Sequence, residues 1–457
     1  MQHRIAGVVI VGGVAMTPRN LRVTSNQRAD RHFGMDTRAI KQNADKTERF
    51  EQKRSAIIDA ACTLINEKGV KGMTFVDVAN LVGLNTTSVT YYFKRKEQLA
   101  AAALELSIER IEAMVLKAGE QPTPQERVSA YLQFIFDRLA RIRRDEERPI
   151  AVLSDIRAME EPARSELVER YSGVFRHLRN FFEPATSDEE RLYNNARTHV
   201  LIENVFWLPA WIVRYSISDF DRVQARLEEI MLHGFAKSDA QWSPAIFSLS
   251  NEGAEASGET GPETFLRAAT RLINERGYRG ASVERIASEL KVTKGSFYHH
   301  LEGKDGLVLA CFERGYARVS EAQYIANNAD GDNWQKLCST IGTLLHIQFF
   351  GEFPLLRTTA LQALPFELRS DVVNRSNRMA RRFAGTVIDG ITDGSICAVD
   401  PLIASQAIMA TLNSAYELRS WASRWAPAQA VAIYAGILTH GLFNDGKRAS
   451  VSAVHTV

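Results

Sequence analysis

The chain repeats itself. The stretch beginning at Ile57, IIDAACTLINEKGVKGMTFVDVANLVGLNTTSVTYYFKRKEQL, aligns without a gap to FLRAATRLINERGYRGASVERIASELKVTKGSFYHHLEGKDGL, beginning at Phe265, at a constant offset of 208 residues. Ala60/Ala268, Leu64/Leu272, Asn66/Asn274, Gly69/Gly277, Ala79/Ala287, Ser88/Ser296 and Lys96/Lys304 are among the identities. Weaker similarity returns near the end of each copy, where His233-Gly234 answers His440-Gly441 at an offset of 207. A repeat of about 200 residues is a whole domain, not a solenoid module. The 457 residues are also too many for one ordinary core, so two units of similar size are expected. Between them, residues 237–262 are rich in Ser, Gly and Glu and read as a linker. A flexible chain of that length has an end-to-end distance on the order of 30 Å and stretches to roughly 80 Å, enough to join units packed side by side.

Composition narrows the class without naming a partner. With 45% hydrophobic and 24% charged residues the chain is globular, neither fibrous nor disordered. A net charge of +2 is too small to imply nucleic acid unless basic residues cluster locally. Cys62, Cys311, Cys338 and Cys397 are far apart and lack metal-ligand spacing, so buried thiols in a reducing cytoplasm are expected. Ile5 to Met16 mimics the core of a signal peptide but is too short to span a bilayer. Residues 1–45 therefore read as a disordered or spurious leader, with translation starting at Met16 or Met35 as an alternative.

Each copy opens with three short helical patterns. Ile57, Ala60, Ala61, Leu64 and Ile65 share one helical face, repeated by Phe265, Ala268, Ala269, Leu272 and Ile273, and Gly69 or Gly277 ends the helix. Thr74, with Asp77 in the capping-box position, starts a second helix that faces inward through Phe75, Val78, Ala79 and Val82. Ser282 does the same for Val283, Ile286, Ala287 and Leu290. After a tight turn comes a two-turn helix with Val89, Tyr92 and Phe93 inward, matched by Phe297, His300 and Leu301. Its other side carries hydroxyls, an amine, an imidazole and phenols, groups that contact base edges and phosphates when such a helix enters the major groove. Lys41, Lys46, Arg49, Lys53 and Arg54 form a basic arm ahead of copy one that can meet phosphates or simply be solvated.

The run VTKGSFYHHLEGKDGL, Val292 to Leu307, resembles the signature of the TetR family of bacterial regulators. Carried over residue by residue, the resemblance implies a DNA face of Ser282, Lys294, Gly295, Ser296, Tyr298, His299, His300 and Lys304 in copy two. In copy one it implies Thr74, Thr86, Thr87, Ser88, Tyr91, Tyr92 and Lys96, with Thr87 and Thr90 departing from the family's glycine and tyrosine. It also implies that later helices form a small-molecule pocket and a four-helix dimer contact. Helical patterns run over Gln125–Arg143, Ala163–Phe182, Glu189–Tyr215 and Asp221–Phe235, then Asn333–Phe349, Ser370–Gly390, Pro401–Trp425 and Pro427–Phe443. Phe134, His177, Trp207, Trp211, His346, Phe350, Met409, Tyr416 and Trp421 are candidate pocket residues, with ordinary core packing as the competing role.

The expected fold is all-α: two tandem units, each an N-terminal helix-turn-helix domain followed by a helical ligand-binding and dimerisation domain. The expected bounds are 46–102 and 103–236 for the first unit, 263–310 and 311–446 for the second, and 447–457 for a tail. The expected partners are a double-stranded DNA operator and a small-molecule effector, with no membrane and no cofactor. The units would act as an intramolecular pseudo-dimer on an asymmetric operator, as a repressor released by ligand. A homodimer of tandem chains with four motifs, and a ligand-binding protein that has lost DNA binding, stay open. His300 to Asp305 has the His-x-x-x-x-Asp spacing of some acyltransferases; its place within the helix-turn-helix pattern, and Tyr92 at the same place in copy one, argue against catalysis.

Overall fold

The computed structural model describes residues 37–250 and 262–444, apart from 281, 292–294, 296–302, 353, 357–359, 362–363 and 365. Its regular structure is helical, and Ala236 and Ile396 form an isolated antiparallel bridge. The first unit contains α1 (Thr37–Gly72), α2 (Phe75–Val82), α3 (Thr86–Tyr92), α4 (Lys96–Gly119), α5 (Pro124–Arg143), α6 (Ala163–Arg179), α7 (Asp188–Trp211) and α8 (Phe220–His233). The second contains α9 (Pro262–Gly280), α10 (Val283–Glu289), α11 (Gly303–Asn328), α12 (Asn333–Phe350), α13 (Phe366–Thr392), α14 (Pro401–Ser414), α15 (Arg419–Ala422) and α16 (Pro427–Thr439).

The helix starts follow from capping chemistry. Thr123 and Glu126 form a reciprocal capping box on α5, with Pro124 in the first turn, and Asp332 and Gln335 do so on α12. Ser187 caps α7, and Asp400 caps α14 ahead of Pro401. One long pattern breaks: the period from Pro401 to Trp425 stops as a regular helix at Ser414. The Leu412 carbonyl, which a continuing helix would use, accepts instead from the Gln348 side chain at 2.8 Å, and a 3-10 turn follows.

One hydrophobic core runs through both units, and a second, separate one holds the first helices of the second unit. Helices α7 and α8 of the first unit pack on α14 and α16 of the second. Polar contacts cross the same face: Asn204 donates to the Thr411 hydroxyl at 3.3 Å, Trp207 to Gln406 at 3.2 Å and Trp421 to the Leu192 carbonyl at 2.8 Å. The His-Gly pairs meet where the units' last helices end. Phe235 donates to the Thr439 carbonyl at 2.8 Å, and Leu442 to the Met231 carbonyl at 2.8 Å, so each chain end closes on the other unit. Gly234 has φ 70° and Gly441 φ 88°. A Cβ on Gly234 would lie 2.1 Å from the Thr439 oxygen, and one on Gly441 2.2 Å from the Leu232 oxygen. Both positions demand glycine for conformation and for space.

Two expectations about the connecting segments are corrected. The linker 237–262 does not begin as a free tether: residues 237–250 lie as a strap on the second unit. Trp242 and Leu249 are buried, Ala245 donates to the Ser339 hydroxyl at 3.0 Å, Phe247 to Thr343 at 3.1 Å and Ser250 to Glu321 at 2.7 Å. Its aromatic and aliphatic residues gain burial, and its backbone donors find hydroxyls on α12. The boundary near residue 45 also moves, because α1 starts at Thr37. Phe50 on that extended helix packs on Tyr92 at 4.7 Å and Tyr91 at 6.1 Å, giving the arm a reason to stay helical.

All four cysteines are free, and Cys62, Cys311 and Cys338 are buried. Burial pushes the Cys62 thiol up to about 11 and the Cys311 thiol to about 12, so both stay protonated and unreactive near neutrality. The two thiols occupy reciprocal places. Cys62 on α1 donates to the Ala103 carbonyl of α4, whereas in the second unit Cys311 on α11 donates to Leu266 of α9.

Candidate nucleic-acid interface

The site is built from the first three helices. Helix α1 bends at Gly69, with φ 70°, as its cap pattern predicts. The Thr74 hydroxyl accepts from the Asp77 N–H at 3.1 Å and donates to its carboxylate at 2.8 Å. Hydrogen bonding from Thr74, then Lys68, holds the Asp77 carboxyl below its usual range. Gly83 closes α2 in the left-handed region, and Asn85 caps α3 by accepting from the Ser88 N–H at 2.7 Å. Val78, Ala79, Val89 and Phe93 are buried, which fixes how α3 crosses α2.

That crossing turns the polar side of α3 outward. Thr86, Thr87 and Tyr91 are exposed, Tyr91 at 66%, and Ser88 is half-buried. An open cleft of about 330 Å³ is lined by Lys53, Leu84, Asn85, Thr87, Ser88, Tyr91 and Tyr92. Thr74 is exposed as well. Lys96 is half-buried and its ammonium donates to the Lys71 carbonyl at 2.9 Å; an ammonium has three donors, so this bond aims it while leaving capacity for a phosphate. The arrangement offers hydroxyls and a phenol at a protruding helix face, flanked by lysines, which suits base edges and backbone phosphates. Sequence reasoning placed Lys53 in a basic arm but missed its place in the cleft. It missed Phe50 and Asn85 as well; the Asn85 cap was legible in the turn before α3.

In the second unit Ser282 caps α10 through the Arg285 N–H at 3.3 Å, with Val283, Ile286 and Ala287 buried. Gly295 is helical and exposed, and Lys304 is half-buried in the first turn of α11. Lys294, Ser296, Tyr298, His299 and His300 lie outside the described residues.

Asn66 and Asn274, identical in the repeat, have the same task in both units. Asn66 donates to the Ile150 carbonyl at 2.8 Å and accepts from the Val152 N–H at 2.8 Å, while Asn274 donates to the Leu355 carbonyl at 2.9 Å. Each ties its first helix to the segment after the second long helix of the larger domain. Asp155 adds a bond from the Val70 N–H at 2.6 Å. Arg369 of the second unit reaches across to the Asn66 and Glu67 carbonyls at 3.0 and 3.2 Å, a contact with no sequence signal.

Residues 57–103 and 265–311 each match the family described as Bacterial regulatory proteins, tetR family. The chain carries two TetR-type N-terminal domains. Among its relatives, the HTH-type transcriptional regulator BetI of Rhizobium meliloti (strain 1021) is 30% identical over 130 residues. That match covers 28% of this chain and 61% of BetI, so less than two thirds of that relative is spanned. IcaR of Staphylococcus aureus (strain Newman), named a negative transcriptional regulator of the biofilm operon icaADBC, is 22% identical over 205 residues, covering 43% of this chain and 97% of IcaR. A solved structure of AibR with isovaleryl coenzyme A and operator DNA aligns at 20% identity with a TM-score of 0.35, covering 39% of this chain and 98% of AibR.

The nine candidate pocket residues lie on several helices of both units. Trp207 and Trp421 serve the contact between units through the bonds given above, and Met409 is buried on α14 in that contact region. The packing of α7 on α14 and α16 accounts for their bulk. Phe134 lies under the Lys117 ammonium at 4.9 Å, His177 is 3.5 Å from Glu112, and Trp211 packs on Tyr215 at 5.9 Å. His346 and Phe350 pair at 5.6 Å, and Tyr416 lies under Arg419 at 4.8 Å. No helix among the described residues is long and apolar enough to cross a membrane.

Proposed function

We propose that the chain is a DNA-binding transcriptional repressor whose two units act as an intramolecular counterpart of a dimer and release DNA when a small molecule binds. The observation that carries the DNA-binding part is the outward face of α3, with Thr87, Ser88 and Tyr91 at a cleft that Lys53 also lines. The contact of α7 and α8 with α14 and α16 supports the pseudo-dimer, since one chain then carries two motifs in a set relation. The name of IcaR, a negative regulator, supports the sign.

Release of DNA needs a path from the larger domain to α3, and Asn66 and Asp155 provide one. A ligand that favours another position of the segment 150–158 moves the end of α1 through those bonds, and with it α2 and α3. The DNA-bound and ligand-bound conformers then compete by linkage. Because Thr86 to Tyr91 and Lys294 to His299 differ, the two halves of the operator differ as well.

Lys53→Ala tests the interface. Losing one phosphate contact lowers the dependence of log affinity on log salt by about 1 and weakens binding to all DNA sequences alike. An unchanged slope in an electrophoretic shift series across salt would remove α3 and its flank as the interface.

A further inference from the structure

Away from the DNA face, three ligating side chains converge on the contact between the units. His199 and Glu203 stand one turn apart on α7, and Glu417 comes from the 3-10 turn after α14 in the other unit. Nitrogen and oxygen atoms of the three lie within 4.8 Å of one another. His199 is only 5% exposed, while Glu203 and Glu417 reach partly toward solvent, so the cluster has a buried end and an open end. The Nδ1 atom of His199 lies 2.8 Å from the Tyr434 hydroxyl. That partner, from the second unit, sets the ring orientation as outer-shell groups do for metal-bound histidines.

We infer that His199, Glu203 and Glu417 bind one divalent first-row transition cation that bridges the two units. One imidazole and two carboxylates suit ions such as Mn²⁺ and Zn²⁺, with water completing the shell; an all-oxygen set would suit Ca²⁺ or Mg²⁺ better. The i, i+4 pair on one helix supplies two ligands from a rigid element. The third ligand belongs to the other unit, so the ion binds only while the units keep this relation and stabilises it by mass action. Other groups facing the cluster are Arg157, 3.7 Å from Glu417, and the phenols of Tyr171 and Tyr434, which stay protonated because burial raises their pKa. The charge of Glu203 also acts on Arg157. Arg157 thus competes with a metal for the same carboxylates. No one sequence segment shows the site, and it is independent of DNA binding.

The full chain, stripped with a chelator, is titrated with Mn²⁺ followed by electron paramagnetic resonance and with Zn²⁺ followed by calorimetry. One ion per chain is expected. Glu417→Gln and Glu203→Gln should each weaken binding by about tenfold or more, whereas Arg157→Gln should tighten it by removing the competing cation. Glu417 is at the surface, so its variant keeps the fold even if Glu203→Gln does not. Absence of saturable binding to the wild type at millimolar metal overturns the inference. So does unchanged affinity in Glu417→Gln, or an Arg157→Gln variant that binds no tighter than the wild type.

Discussion

Gly234→Ala costs about 3 kcal/mol. A residue with a Cβ held at φ 70° and ψ −156° costs about 1–3 kcal/mol, and overpacking adds about 1–3 kcal/mol. Here the new methyl would sit 2.1 Å from the Thr439 carbonyl oxygen, which is itself held by the Phe235 and Ala236 N–H groups at 2.8 Å. Relief requires moving a backbone that joins the two units. Gly385→Ala is the control: it lies within α13, a Cβ there meets nothing within 4 Å, and alanine should be neutral or stabilising by about 0.5–1 kcal/mol. Urea unfolding of both variants checks this. Equal stability of the two would mean that the His-Gly crossing is not the tight junction described.

The double substitution Thr87→Ala, Tyr91→Ala lowers affinity for the operator by about 100-fold, since each lost base contact is worth about 1–3 kcal/mol. Both side chains are exposed and neither is buried in the core of the motif, so the fold survives. The damage falls on one half of the site only. Nuclease footprinting should show protection lost on one side and kept on the other, because Lys294 to His299 present different groups. Symmetrical loss, or undiminished affinity, goes against an asymmetric operator read by two unlike motifs.

Much of this architecture was legible from local chemistry. The repeat, the caps at Thr74 and Ser282, and the inward faces of α1, α2 and α3 depend on residues within a few positions of each other. Helix starts at Ala163, Asn333, Pro401 and Pro427 follow for the same reason. What was not legible depends on partners far apart in sequence. Trp207 and Trp421 carry no mark that separates a pocket from a helix contact. Residues 237–250 look like a linker until Ser339 and Thr343 are found beside their N–H groups. Arg369 reads as one more helix arginine, and its bonds to Asn66 and Glu67 span about 300 residues. His199, Glu203 and Glu417 likewise meet only once α7 rests on the second unit.

That contact makes a pseudo-dimer possible, and the chain count on DNA tests it most directly. Native mass spectrometry of the protein bound to its operator should give one chain of 51.1 kDa per duplex. Two chains per duplex, with four motifs engaged, would contradict it.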